Sequence, residues 1–180
     1  MIEFRALAAF FFAVAVAGAQ ALPILIDTDA GSDDVMAVAL LLAHPNVAID
    51  AITVVNGTAH VDAGARNMGR LLDLAGRKQV RVFAGRSTPM RGVNAFPAEW
   101  RKIADDLPGV PLPPASRPPE NKRAADYLVE RLRNAQTPVQ ILALGPLTNI
   151  AEAMQRDRSV VRNIREIVLM GGAVKVPGNL

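Results

Sequence analysis

The chain has 180 residues, a formal net charge of +3, an apolar fraction of 51% and no cysteine. This length suits one domain with a single core, and the lack of cysteine excludes both a disulfide framework and a thiolate nucleophile. Lysine and arginine are dispersed from Arg66 to Lys175 without a dense run, so we expect no nucleic acid among the partners.

The N-terminus has the pattern of a targeting segment. Arg5 supplies positive charge, an almost unbroken apolar run covers 6–17, and Ala19-Gln20-Ala21 is a small-x-small cleavage site. We therefore expect a signal peptide over residues 1–21 and a domain over 22–180 that is periplasmic or secreted, with no membrane attachment after cleavage. A buried first helix or an uncleaved anchor is the alternative, although the run is short for a membrane span.

Downstream, short apolar strands alternate with helices. The predicted strands cover 22–26, 47–55, 80–84, 139–144 and 164–170, and the predicted helices cover 35–43, 63–75, 124–134 and 147–155. Ser32, Asp33 or Asp34 is expected to cap the first helix, and Gly76 to end the second. Strands that alternate with helices predict an α/β fold with right-handed crossovers and a mostly parallel sheet.

Residues 87–119 interrupt this alternation. Six prolines lie between Pro108 and Pro119, and proline both fixes φ and removes a backbone donor. The segment is therefore predicted to be a loop rather than a regular element. A loop of this length inside a compact domain is typical of a lid.

The acidic segment that follows the first predicted strand carries most of the functional information. Asp27, Asp29, Asp33 and Asp34 fall within eight positions, directly after an apolar run. Four carboxylates crowded at the end of a buried strand repel one another unless a partner compensates them. Oxygen-only ligands favour a hard divalent cation such as calcium or magnesium.

Several kinds of site could use such a segment. An EF-hand beginning at Asp27 requires glycine and glutamate where Ser32 and Val38 stand, so it is excluded. A phosphatase with an aspartyl nucleophile typically has threonine or valine where Gly31 stands, which weakens that alternative. A water molecule held by a metal ion and attacking a sugar, with one carboxylate as general base, also fits. In the simplest alternative, one or two of the aspartates are helix caps and the others are solvated.

Polar or flexible residues also follow other predicted strands. Asp27, Asn56, Gly145 and Met170 each lie at or just beyond the end of a strand segment. Ligands of open parallel sheets bind at the carboxyl ends of the strands. We therefore expect these four segments to converge on one crevice.

Four motifs occur in an order that resembles the inosine/uridine-preferring nucleoside hydrolases. They are Asp-Thr-Asp-x-Gly-x-Asp-Asp at 27–34, Ala-Ile-Thr-Val-Val at 51–55 with Arg-Asn at 66–67, Gly-Pro-Leu-Thr-Asn-Ile-Ala at 145–151, and Val-Leu-Met-Gly-Gly at 168–172 with Pro-Gly-Asn at 177–179. The resemblance implies a Rossmann-like open, mostly parallel sheet with helices on both faces. It also implies calcium-dependent hydrolysis of the N-glycosidic bond of ribonucleosides, with a small-molecule substrate and Ca²⁺ as cofactor.

The resemblance assigns roles to individual residues around the calcium ion. Asp29 would be both a calcium ligand and the general base for the attacking water, and Asp34 would be a second ligand. The main-chain oxygen of Leu144 would be a further ligand. Asp27 would either bind the ion directly or support the ligands without contacting the ion. Asp33 would hold ribose hydroxyls.

Further substrate contacts follow from the same resemblance. Met170 and Asn179 would touch the sugar, although plain strand packing is an equal alternative for a methionine. The family usually places a Gly-Asn pair after the second strand, and its asparagine contacts the ribose. Aligned without gaps, that asparagine corresponds to Thr58, whereas Asn56 stands on the other side of Gly57.

Family members continue beyond the Pro-Gly-Asn loop with an Ala-Glu-Phe-Asn segment and a distal region. That region holds another calcium aspartate and a histidine near the leaving base. We therefore expect 22–180 to be an N-terminal portion of the domain that by itself binds calcium weakly and turns over poorly. The alternative is a non-catalytic remnant or a binding protein for ribose and calcium. The family often forms dimers or tetramers, so a homo-oligomer is compatible with the resemblance.

Overall fold

A computed structural model of the chain describes residues 23–93 and 95–177. The predicted signal peptide (1–21) and the predicted sugar contact Asn179 lie outside these residues. The strands are β1 (Ile24–Thr28), β2 (Ile49–Val54), β3 (Arg81–Ala84), β4 (Val139–Ala143) and β5 (Ile164–Leu169). The helices are α1 (Ser32–Ala43), α2 (Val61–Leu74), α3 (Ala98–Asp106), α4 (Ala124–Arg133) and α5 (Thr148–Arg156), and a 3₁₀ helix covers Arg158–Asn163.

The five strands form one sheet in the order β3-β2-β1-β4-β5, and every neighbouring pair is parallel. The strand β1 therefore lies at the centre. Asp27 on β1 is in register with Thr53 on β2 and with Ala143 on β4. The α/β prediction is confirmed, and its first strand ends in the middle of the sheet edge where ligands of such folds bind.

Successive side chains of the central strand pack against helices on opposite faces of the sheet. Ile26 faces a core that includes Val38 of α1 and Met68 of α2. Leu25 faces a second core that includes Leu128 of α4. The central part of the sheet is thus covered on both faces, as its apolar strand sequences require. In 23–93 and 95–177, no helix has the length and apolar character needed to cross a membrane.

The prediction that residues 87–119 form only a loop is wrong, because α3 lies within them. The helix follows Pro97 and ends at Leu107, which has a left-handed φ of 45° and precedes Pro108. Leu107 is buried and belongs to the same core as α1 and α2. The six prolines from Pro108 to Pro119 favour a loop, but they lie after the helix, which the residues before Pro108 form.

The start of the first helix differs from the prediction, whereas the end of the second agrees with it. The N-cap of α1 is Gly31, so Ser32 is already helical and neither Asp33 nor Asp34 is the cap. Asp34 is turned instead toward the hydroxyl of Thr28, which donates a hydrogen bond to it. At the end of α2 the prediction is confirmed: Gly76 follows the C-cap Ala75 with a left-handed φ of 66°, and its backbone N–H donates to the carbonyl oxygen of Asp73.

Candidate active site

Asp29 lies just beyond β1 and is held by the turn after β2. Its Oδ2 accepts hydrogen bonds from the backbone N–H of Thr58 at 2.8 Å and from the Thr58 hydroxyl at 3.1 Å. Two glycines allow this close approach. A Cβ on Gly57 would lie 2.1 Å from Asp29 Oδ2, and a Cβ on Gly145 would lie 2.8 Å from the Asp29 backbone nitrogen. The carboxylate is thus fixed by loops that follow two other strands.

Asp34 is the second buried carboxylate of the segment, with 1% of its surface exposed. Burial raises its pKa to about 7, the hydrogen bond from Thr28 opposes this shift, and the negative charges of Asp29 and Asp33 add to it. Burial disfavours the charged form, and so does a like charge nearby. The crowding inferred from the sequence is therefore present for Asp29, Asp33 and Asp34.

Asp27 is completely buried. Its Oδ1 accepts hydrogen bonds from the Thr53 hydroxyl at 2.6 Å and from Asn149 Nδ2 at 2.8 Å. Its Oδ2 accepts none from the described residues. Burial raises the pKa of Asp27 to about 7, although the bonds from Thr53 and Asn149 lower it and the charge of Asp29 raises it further.

The donor chemistry of this cluster fits a hard cation. The polar side-chain atoms of Asp27, Asp29 and Asp34 are all oxygens, and no residue that the structure describes donates a hydrogen bond to the buried Asp27 Oδ2. Across 23–93 and 95–177, however, no group of three histidine, cysteine, aspartate or glutamate side chains is arranged to hold a metal ion by itself. Main-chain oxygens, water or substrate hydroxyls would have to complete the coordination, as is usual for calcium with its six to eight ligands.

A cavity of about 870 Å³ opens above Asp29. Asp33 and Thr58 line it from the same side as Asp29, and Leu144 and Met170 line it from the ends of β4 and β5. Met170 is 53% exposed, so it borders the cavity instead of filling the core. The expected convergence of strand ends on one crevice is therefore observed for β1, β4 and β5 and for the turn after β2.

Asn56 is separated from this group. It lines a neighbouring cavity of about 600 Å³, which shares Phe96 and Pro146 with the first. Its Oδ1 accepts a hydrogen bond from Arg101 Nη2 of α3 at 3.0 Å. Of the two candidates for the ribose contact after β2, only Thr58 lines the same cavity as Asp29.

The sequence reasoning missed the wall of the cavity that α3 forms. Trp100, Ile103 and Ala104 line the cavity, and Leu107 packs in the core behind them. Their spacing of i, i+3, i+4 and i+7 is the signature of one helix face, and Pro97 marks the start of that helix. Thr53 and Asn149, which hold Asp27, belong to the motifs at 51–55 and 145–151, but the sequence alone assigns no role to either side chain.

Comparison with known proteins agrees with this geometry. The family model "Inosine-uridine preferring nucleoside hydrolase" matches residues 24–180. The chain is 38% identical over 157 residues to uridine nucleosidase 1 of Arabidopsis thaliana, covering 87% of this chain and 47% of that protein. It is 36% identical over 155 residues to the pyrimidine-specific ribonucleoside hydrolase RihA of Citrobacter koseri, covering 86% and 49%. The chain thus spans about half the length of the curated relatives it matches.

Solved structures show the same relationship. A plant nucleoside hydrolase, the PpNRh1 enzyme, superposes with a TM-score of 0.80 and 33% identity, covering 88% of this chain and 50% of that one. An inosine-guanosine nucleoside hydrolase superposes with a TM-score of 0.78 and 32% identity, covering 87% and 51%. Because the family model extends over almost all of the described fold and the acidic segment, the chain belongs to the inosine-uridine preferring nucleoside hydrolase family.

Proposed function

We propose that this protein hydrolyses the N-glycosidic bond of purine or pyrimidine ribonucleosides to ribose and free base, with Ca²⁺ as cofactor. The observation that carries the proposal is the position of Asp29, a buried carboxylate fixed at the floor of a cavity of about 870 Å³. Family membership and the activities for which the relatives are named support the reaction class. The substrate is a small molecule, and we propose no nucleic-acid partner.

Asp29 is the proposed general base. Thr58 holds Oδ2 through two hydrogen bonds, and we assign acceptance of the proton from the attacking water to Oδ1. A general base must lie within hydrogen-bond reach of the proton that it removes, and a fixed carboxylate meets this condition without reorganisation.

Asp29, Asp34 and the main-chain oxygen of Leu144 would hold the calcium ion, and Asp27 would ligate it or support the cluster from outside. When bound, a divalent cation offsets the repulsion among the carboxylates and favours loss of a proton from water. The cluster's negative charge also stabilises the positive charge that develops on the sugar in an oxocarbenium-like transition state.

The remaining site residues are proposed to contact the sugar. Asp33 and Thr58 supply polar groups at the cavity floor, and Met170 supplies an apolar contact at its rim. Asn56 is proposed as a sugar contact from the neighbouring cavity, where its Oδ1 accepts a hydrogen bond from Arg101 Nη2. Asn179 is proposed as a sugar contact from the sequence resemblance alone.

The test of the proposed function is base release from inosine and from uridine by the purified full-length protein, with calcium and after chelation. We expect Asp29→Asn to reduce turnover by about 10² to 10⁴-fold, because the variant retains the shape of the side chain but cannot take up the proton. Near-normal turnover by this variant would refute the role of Asp29. Calcium binding without any base release would instead favour the binding-protein alternative.

We also propose that residues 1–21 are removed as a signal peptide and that the mature domain is periplasmic or secreted. The apolar run and the Ala19-Gln20-Ala21 site support this proposal. Intact-mass measurement of the protein isolated from its own host should then show a mature chain that begins at Leu22. A mass that includes Met1 would contradict it.

A further inference from the structure

The carboxylate of Asp27 is held by one of its two oxygens. Thr53 Oγ1 from the neighbouring strand and Asn149 Nδ2 from the first turn of α5 both donate to Oδ1, at 2.6 and 2.8 Å. Rotation of the carboxylate would break both bonds. The two donors therefore determine where Oδ2 lies, and that oxygen is left without a donor among the described residues.

Asn149 is itself placed with little freedom. It is completely buried, and a Cβ added to Gly85 would lie 2.1 Å from its Oδ1. That Oδ1 accepts no hydrogen bond from the described residues, which is unfavourable for a buried amide. The hydrogen bond that Nδ2 donates to the Asp27 carboxylate offsets this cost, because hydrogen bonds to charged acceptors are stronger than hydrogen bonds between neutral groups.

The segment that carries Asn149 contacts the end of β1 at two further points. The backbone N–H of Leu144 donates to the carbonyl oxygen of Asp27 at 2.7 Å, and Gly145 packs against the backbone and side chain of Asp29. A shift of Asn149 would thus disturb Asp27 and the backbone of the segment from Leu144 to Gly145 together.

We propose that Asn149 is a positioning residue that, together with Thr53, orients the Asp27 carboxylate so that its free Oδ2 faces the acidic cluster and strengthens calcium binding. This inference rests on the proposed calcium-dependent function. Asn149 touches neither the substrate nor the ion in this role and acts only through Asp27.

The test is the calcium dissociation constant of the purified protein, measured by isothermal titration calorimetry well below the unfolding temperature. We expect Asn149→Ala to weaken calcium binding at least tenfold, the effect typical of residues that orient metal-binding groups. Asn67→Ala is the matched control, because Asn67 is a buried asparagine that hydrogen-bonds Ala104 and Asp105. The control should lower stability and leave the calcium affinity within twofold of wild type.

A reciprocal exchange separates positioning from mere structural support. In the double variant Asp27→Asn with Asn149→Asp, the hydrogen-bonded pair is retained with donor and acceptor reversed. We expect the unfolding temperature to recover toward wild type while the calcium affinity stays at least tenfold reduced. Recovery of both quantities would show that the pair only stabilises the fold, and so would overturn the proposal.

Two further outcomes are decisive. Wild-type affinity in Asn149→Ala would overturn the proposal directly. If the wild-type protein binds no calcium, the proposed cofactor fails, and a crystal structure of Asn149→Ala decides the inference separately. A rotated Asp27 carboxylate in that structure would support positioning by Asn149, and an unchanged carboxylate would refute it.

Discussion

At the scale of single residues, small side chains and hydroxyls determine the geometry of the acidic cluster. Thr28, Thr53 and Thr58 each donate a hydrogen bond to a different aspartate, which compensates part of the cost of burying three carboxylates. Gly57 and Gly145 leave the space into which Asp29 fits. The carboxylates are thus preorganised by neighbours that carry no charge of their own.

Gly57→Ala should misplace Asp29, because the added Cβ would lie 2.1 Å from Oδ2 and 2.5 Å from Cβ of that aspartate. We expect turnover of ribonucleosides to fall by about 10²-fold, as small displacements of a catalytic group can do, with the circular dichroism spectrum unchanged. Gly69→Ala in α2 is the control, since its Cβ would meet Ala115 at an ordinary 3.7 Å. The assignment of Asp29 would be contradicted if Gly57→Ala retained full turnover.

At the scale of elements, α3 shows how a segment becomes a wall of the site by docking on a neighbour. Asp105 accepts hydrogen bonds from the backbone N–H of His60 at 2.8 Å and pairs with its Nδ1 at 2.6 Å. His60 precedes the first residue of α2, so Asp105 compensates a backbone donor that a helix start leaves unpaired. This contact holds α3 over the cavity that Trp100 lines.

Asp105→Ala should therefore loosen α3 and lower the free energy of unfolding by about 1 kcal/mol, the usual effect of losing a helix-capping bond. Trp100 is the single tryptophan of the chain, so its fluorescence reports on this helix, and we expect a shift to longer wavelength. Asp106→Ala is the control, because Asp106 pairs only with Lys102 on the exposed side of α3 among the described residues. Identical spectra for the two variants would argue against docking through Asp105.

At the scale of the whole molecule, the parallel sheet brings together segments that lie far apart in sequence. The proposed calcium ligands come from the end of β1, from the first turn of α1 and from the residue after β4, more than 100 positions away. Such a site exists only when the sheet is formed. Binding of an ion at the proposed site would accordingly be coupled to formation of the sheet.

Calcium should therefore raise the stability of the protein. At a free concentration 100 times the measured dissociation constant, we expect a gain of about 2.7 kcal/mol in the free energy of unfolding, provided that the unfolded chain does not bind the ion. Thermal unfolding with calcium and after chelation measures this gain. Asp34→Asn should reduce it, and an undiminished gain in that variant would place the bound calcium elsewhere.

The pattern of residues along the chain was sufficient to predict the sheet, most helices and the acidic cluster. These features depend on local periodicity and on charge crowding, which one stretch of sequence displays by itself. The spacing of Trp100, Ile103, Ala104 and Leu107 is typical of the helix α3, whereas the prolines from Pro108 to Pro119 favour a loop for the same segment.

The sequence by itself determined the α/β class, the family resemblance and the clustering of carboxylates after the first strand. Only the tertiary structure decided that Thr58, and not Asn56, shares a cavity with Asp29, and that Asn149 and Thr53 hold Asp27. The physical reason is that these contacts join residues 26 to 122 positions apart, and their geometry depends on strand order and register. The spacing of residues within one segment does not determine which strand will lie beside that segment in the sheet.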